Sequence, residues 1–104
     1  MIKLTDITDI IRSKNAGPYE LTFDLMFTTA DWFERVVEAG VIDAALISRL
    51  YRIGVEDVLN IIAFRPAKAI KVTIRRRIPS GSLGETDVYG AQQHAPFLGL
   101  EFDL

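Results

Sequence analysis

Two stretches of this chain hold residues able to recognise or transform a polar ligand. "DVYGAQQHAP" (87–96) carries the one histidine, His94, seven residues after the carboxylate of Asp87, together with Tyr89 and the adjacent amides of Gln92 and Gln93. A histidine ionises near neutrality and suits general acid–base work. Glutamine amides exchange no proton at neutral pH, but they orient a substrate amide or carboxylate. No Ser-His-Asp or Cys-His spacing accompanies His94, so the loop fits recognition as readily as catalysis, with a hydrogen-bonded structural histidine as the plain alternative.

The second stretch, "IRSKNAGPYE" (11–20), joins Arg12, Ser13, Lys14 and Asn15 to a Gly17-Pro18 turn. Two cations and the backbone amides around Gly17 can hold a carboxylate or a phosphate. The alternative is a solvated turn of basic character. "PSGSLGETD" (79–87) offers small residues of the kind that let a backbone approach a phosphate, but it has no Walker pattern and no strand-GxGxxG-helix setting.

Composition bounds the chemistry further. The 104 residues fit one domain (1–104), long enough to bury about two-thirds of the surface of the unfolded chain. With 49% hydrophobic and 25% charged residues and a mean hydropathy of +0.19, the chain is an ordered globular protein. The absence of cysteine excludes a disulfide scaffold and a thiolate zinc site, and is what a reducing cytoplasm favours. Nitrogen ligation of a metal would rest on His94 alone, so no metal and no cofactor is expected. Lys3, Asp6 and Asp9 interrupt the opening apolar residues, which argues against a signal peptide, and no run of 18 apolar residues exists to span a membrane.

Charge is segregated. Arg65, Lys68, Lys71, Arg75, Arg76 and Arg77 follow one another without an acid, whereas Glu85, Asp87, Glu101 and Asp103 follow Ile78 without a base. The aromatic residues fall mostly on apolar faces and the pI is about 5.3, so the cationic stretch suits an acidic partner surface better than nucleic acid.

The elements that must carry these residues are legible from periodicity. "YELTFDLMF" (19–27) sets Tyr19, Leu21, Phe23, Leu25 and Phe27 against Glu20, Thr22, Asp24 and Met26, which predicts a half-buried strand. "TTADWFERVVEAG" (28–40) predicts an amphipathic helix with threonine capping and a stop at Gly40. "DAALISRLYRIG" (43–54) predicts a second helix, capped by Asp43 and ended by Gly54. "VLNIIAF" (58–64) reads as a central strand, and "AIKVTIRR" (69–76) as a strand with one core face and one cationic face. A connection of roughly twenty residues precedes "FLGLEFDL", read as a last strand with Leu98, Leu100, Phe102 and Leu104 inward. The opening segment fits a first strand or extended arm with a short turn. The order strand, strand, helix, helix, strand, strand, long loop, strand implies an α+β fold: a mostly antiparallel sheet with helices packed on one face.

"IRSKNAGPYE", "PSGS" and above all "DVYGAQQHAP" resemble the signature segments of a bacterial family of about this length known as a domain of unknown function, over nearly the whole chain. That family is similar to the small C-terminal ferredoxin-like domain of the AtuA proteins of acyclic terpene utilisation. The resemblance implies a ferredoxin-like fold and a separate small subunit that completes an AtuA-like large protein. In the AtuA domain the counterpart of residues 12–18 is an Arg-Ser-Gly-Asp-Lys-Gly-Asp type of turn. Arg12, Ser13 and Lys14 echo it, while Asn15 and Ala16 depart from its acidic character, so no metal or acid–base role passes to them.

The expectation is an accessory subunit of a cytoplasmic catabolic complex, in which Arg12, Lys14, Asn15 and the 87–94 loop help bind an anionic substrate, a hydroxy-acid or an acyl-CoA. Two rivals remain. One is a self-sufficient lyase or hydratase with His94 as acid/base across a homo-oligomer interface; the other is a structural oligomerisation module.

Overall fold

The computed structural model describes residues 1–75 and 94–104. Its main sheet grows from the hairpin that Gly17 and Pro18 initiate. Strand β2 (Thr8–Gly17) runs back antiparallel along β3 (Glu20–Phe27), after a minimal β1 (Ile2–Lys3) and a single helical turn, α1 (Leu4–Ile7). Two hydrogen bonds fasten that helical turn to the strands: Thr8 donates its hydroxyl to the Leu4 carbonyl at 2.8 Å, and the Thr28 amide donates to the Ile7 carbonyl at 2.9 Å.

Two consecutive helices fill the gap between β3 and the next strand. Helix α2 (Ala30–Ala39) begins where the Thr29 hydroxyl accepts from the Trp32 amide, and it ends at Gly40, whose φ of 65° is the left-handed conformation glycine adopts without steric cost. Helix α3 (Ala44–Tyr51) begins where the Asp43 carboxylate accepts from the Leu46 amide at 2.8 Å. Its end differs from expectation. Arg52, not Gly54, takes the left-handed position with φ 55°, and the Ser48 hydroxyl closes the exit by donating to the Ile53 carbonyl at 2.6 Å.

Strands β4 (Val58–Phe64) and β5 (Ala69–Arg75) form a second hairpin, and the sheet order is β2-β3-β5-β4, antiparallel throughout. Among the described residues "VLNIIAF" is therefore an edge strand rather than a central one: local composition records that the strand is apolar, whereas its neighbours are set by the whole topology. The segment 11–15 also differs from its reading as a turn, because Arg12 to Asn15 lie inside β2, with the turn confined to the residues after Gly17.

Leu21, Phe23, Leu25 and Phe27 from β3 and Ile70, Val72 and Ile74 from β5 bury one sheet face against Phe33 and Val36 of α2 and Ile47 of α3. Leu4, Ile7, Phe97 and Phe102 complete that core. The C-terminal segment reaches it through a 3-10 turn, Ala95–Gly99, and a two-residue β6 (Glu101–Phe102) paired with β1. This corrects the expected continuous strand: Pro96 and Gly99 favour a tight turn, Phe97 rather than Leu98 is buried, and Leu98 is 48% exposed. The fold is α+β, an antiparallel sheet with helices on one face, in keeping with a ferredoxin-like arrangement.

Candidate functional site

Among the described residues the helices cover one face of the sheet and leave the other open, and the register fixes what that face displays. A row of direct cross-strand neighbours runs Arg12, Asp24, Lys71, Ile62 from β2 to β4. Beside it run Lys14, Thr22, Thr73, Asn60 on one flank and Ile10, Met26, Ala69, Phe64 on the other, with Glu20 opposite Arg75 beyond. This face thus carries four cations and two carboxylates among exposed Ile10, Ile62 and Phe64, and "AIKVTIRR" presents the cationic face its alternation predicts as far as Arg75.

Asp24 is the centre of the row. Although it lies on the open face, its side chain is only 2% exposed, between Arg12 and Lys71 of the two flanking strands. Arg12 donates its Nε–H to Oδ2 at 2.9 Å, and the Lys71 ammonium stands 3.5 Å from Oδ1. Burial acts to raise the carboxyl pKa, but the Arg12 hydrogen bond and the charges of Lys71, Arg12 and Lys14 outweigh it and hold the group below its ordinary 3.8. Asp24 is thus an anion at neutral pH that fixes two cations in place. Thr22 and Thr73 share a hydrogen bond of 3.2 Å in the next row, and Lys71 lies 5.8 Å from the Phe64 ring centre. On the strand's far end, Arg75 approaches buried Asp57 at 3.6 Å.

The four residues of 12–15 do not share a face. Arg12 and Lys14 point to the open side, whereas Ser13, buried opposite Phe23, and Asn15, opposite Leu21, belong to the helix side. The turn that follows His94 belongs to that side through Phe97. Half-buried His94 precedes the Ala95–Gly99 turn, and its carbonyl accepts from the Phe97 amide at 2.9 Å. Phe97 is packed edge-on to Phe23 at 5.1 Å and stands 5.7 Å from Tyr51, itself 4.8 Å from Phe23; burial pushes the Tyr51 phenol far up. Asp87, Tyr89, Gln92 and Gln93 lie outside the described residues, as do Arg76 and Arg77.

Sequence reasoning missed Asp24 and Lys71 as members of the site. The signal was present: a hairpin folded about Pro18 brings Arg12 opposite Asp24 and Lys14 opposite Thr22. Elsewhere, a hollow of about 570 Å³ along α2 is lined by Asp31, Glu34 and Glu38 against Arg35, a sign of charge that repels anions. No cluster of three or more metal-ligating side chains occurs among the described residues, and no helix among them is long and apolar enough to cross a membrane.

Among the described residues, fold and site together define a small α+β domain with helices on one sheet face and an ordered array of charges among apolar side chains on the other. The chain belongs to a family described as a domain of unknown function, DUF4387, whose model matches residues 4–101. No curated protein and no solved structure matches it.

Proposed function

We propose that the chain is the small accessory subunit of a cytoplasmic catabolic complex with an AtuA-like large protein. Its open sheet face docks on that protein and turns Arg12, Lys14 and Lys71 toward an anionic substrate, a hydroxy-acid or an acyl-CoA. The observation that supports this reading is the row Arg12–Asp24–Lys71, an ordered charge array bordered by exposed Ile10, Ile62 and Phe64. Apolar side chains around fixed charges are what a docking surface needs: the former exclude water, and the latter set orientation.

The chemistry assigned to this subunit is positioning. Asp24 holds Arg12 and Lys71 in one geometry before any ligand arrives, so little reorganisation is required when a carboxylate or phosphate binds. Four cations against Asp24, Glu20 and the Asp57 that meets Arg75 leave the face net positive although the whole chain carries −2. This reading rests on the charge array and does not call on His94 to transfer a proton.

Co-expression with the AtuA-like protein, followed by light scattering of the purified material, tests the reading. The unaltered chain is expected to co-elute with its partner. The double variant Ile10→Asp/Lys14→Glu, whose two positions are exposed on β2, is expected to weaken the complex by about tenfold or more while keeping the native circular dichroism. A folded variant that binds undiminished, or a wild-type chain that ignores the large protein, would remove the basis for the proposal.

A further inference from the structure

Among the described residues, the two edges of the main sheet are built differently. Strand β2 carries Asp9, Arg12 and Lys14 and is irregular near both ends, between Thr8 and Ile10 and between Asn15 and Gly17. Charges and bulges of this kind keep an edge from pairing with another chain. Strand β4 has seven residues, Val-Leu-Asn-Ile-Ile-Ala-Phe, with neither a charge nor a proline, and its one irregularity lies at its start, between Val58 and Asn60. An apolar, uncharged edge of this length is a template for a further strand.

We infer that the strand added to β4 is β4 of a second copy of this chain, paired antiparallel about a two-fold axis at Ile61. An incoming strand must match an edge without charge, and β4 itself does so, since self-pairing sets no like charges against each other. Centring on Ile61 places Leu59 of one copy opposite Ala63 of the other. Ala63 lies at a groove of about 180 Å³ lined also by Val36, Val37, Ile42, Ile61 and Ile70. Leu59 is 37% exposed and outside the core of its own chain. The leucine of each copy therefore has an apolar groove to enter, beside the smallest residue of the partner strand. Arg65 and Pro66 follow Phe64 directly and confine the pairing to the seven residues. The two four-stranded sheets become one of eight strands, and β4 takes the interior position that its composition suits. This inference uses the β4 edge and does not depend on the docking reading above.

Pairing one edge buries less than the roughly 800 Å² per partner of a standard interface, so mass is followed by light scattering from about 1 to 100 µM. The expected result is a rise from 11.7 kDa to twice that mass, abolished by Leu59→Asp and unaffected by Ile10→Asp on the far edge. The chain has no cysteine, so Ile61→Cys introduces one thiol that faces its own copy across the axis. Facing residues of an antiparallel pair lie about 4.5–5.5 Å apart, within disulfide reach, so oxidation is expected to give a covalent dimer of native circular dichroism. The crosslink decides the matter if Leu59→Asp fails to fold. A monomer at 100 µM, a dimer that survives a folded Leu59→Asp, failure of Ile61→Cys to crosslink, or protection of the β4 amides only when the AtuA-like protein is present would each overturn the inference.

Discussion

A carboxylate with 2% of its side chain exposed makes Asp24 the residue on which the open face depends. Its folded pKa lies below the ordinary value, so its ionised form stabilises the fold in full above about pH 4, and that contribution is lost as pH falls through the folded pKa. The expected outcome is that Asp24→Asn costs about 1–3 kcal/mol at pH 7 and flattens the fall in stability as pH drops below about 4. Urea titrations of both proteins at pH 7, 5 and 3 check this, and equal pH slopes would show that Asp24 is not the group responsible. Arg12→Ala should act through the same residue, removing its hydrogen bond and letting the carboxyl pKa rise; NMR titration of Asp24 reads that directly. None of this is legible from hydropathy, which places Asp24 in the outward set Glu20, Thr22, Asp24, Met26 as a solvated residue. Its partners come from two other strands, one of them nearly fifty residues away. Arg12 and Lys14 are legible as cations but not as members of a strand, because the alternate positions of β2 are Ser13 and Asn15, too polar to mark a period of two.

At the scale of elements, Phe97 does for the C-terminal segment what Asp24 does for the open face. It is fully buried among Phe23 and Tyr51, and through it the Ala95–Gly99 turn is held to the helix side. Phe97→Ala should cost about 3–5 kcal/mol in urea unfolding, whereas Leu98→Ala, exposed on the same turn, should cost little. Equal losses would mean that the turn is not anchored as described. The helices and β3 are readable because their determinants are local: Thr29 and Asp43 as caps, Gly40 as a stop, strict alternation from Leu21 to Phe27. The last segment misleads because Leu98, Leu100, Phe102 and Leu104 do alternate, while the Pro96 and Gly99 that bend the chain leave no trace in that pattern. The residues of β4 suit a central position. What the sequence of one chain does not contain is which side of β5 the strand takes, nor whether a second chain lies beyond it.

Among the described residues, acids predominate along α2, where Asp31, Glu34 and Glu38 line a hollow with Arg35, and cations predominate on the open sheet, where Arg12, Lys14, Lys71 and Arg75 stand with Glu20 and Asp24. Approach to an acidic surface is thereby oriented, an effect that salt weakens. The pairing of β1 with β6 has a different consequence. Ile2 faces Phe102 and the Leu4 amide donates to the Leu100 carbonyl at 3.0 Å, so the first and last strands lie side by side and the chain path is nearly a ring. Where that ring is cut is then a matter of choice. A circular permutant that joins Leu104 to Met1 through a few glycines and serines, and opens instead between Pro18 and exposed Tyr19, should refold with the same far-ultraviolet spectrum and nearly the same unfolding midpoint. Such a permutant would carry its new ends at the tip of the β2–β3 hairpin, so a reporter fused there would leave the β1–β6 ribbon sealed by its own linker.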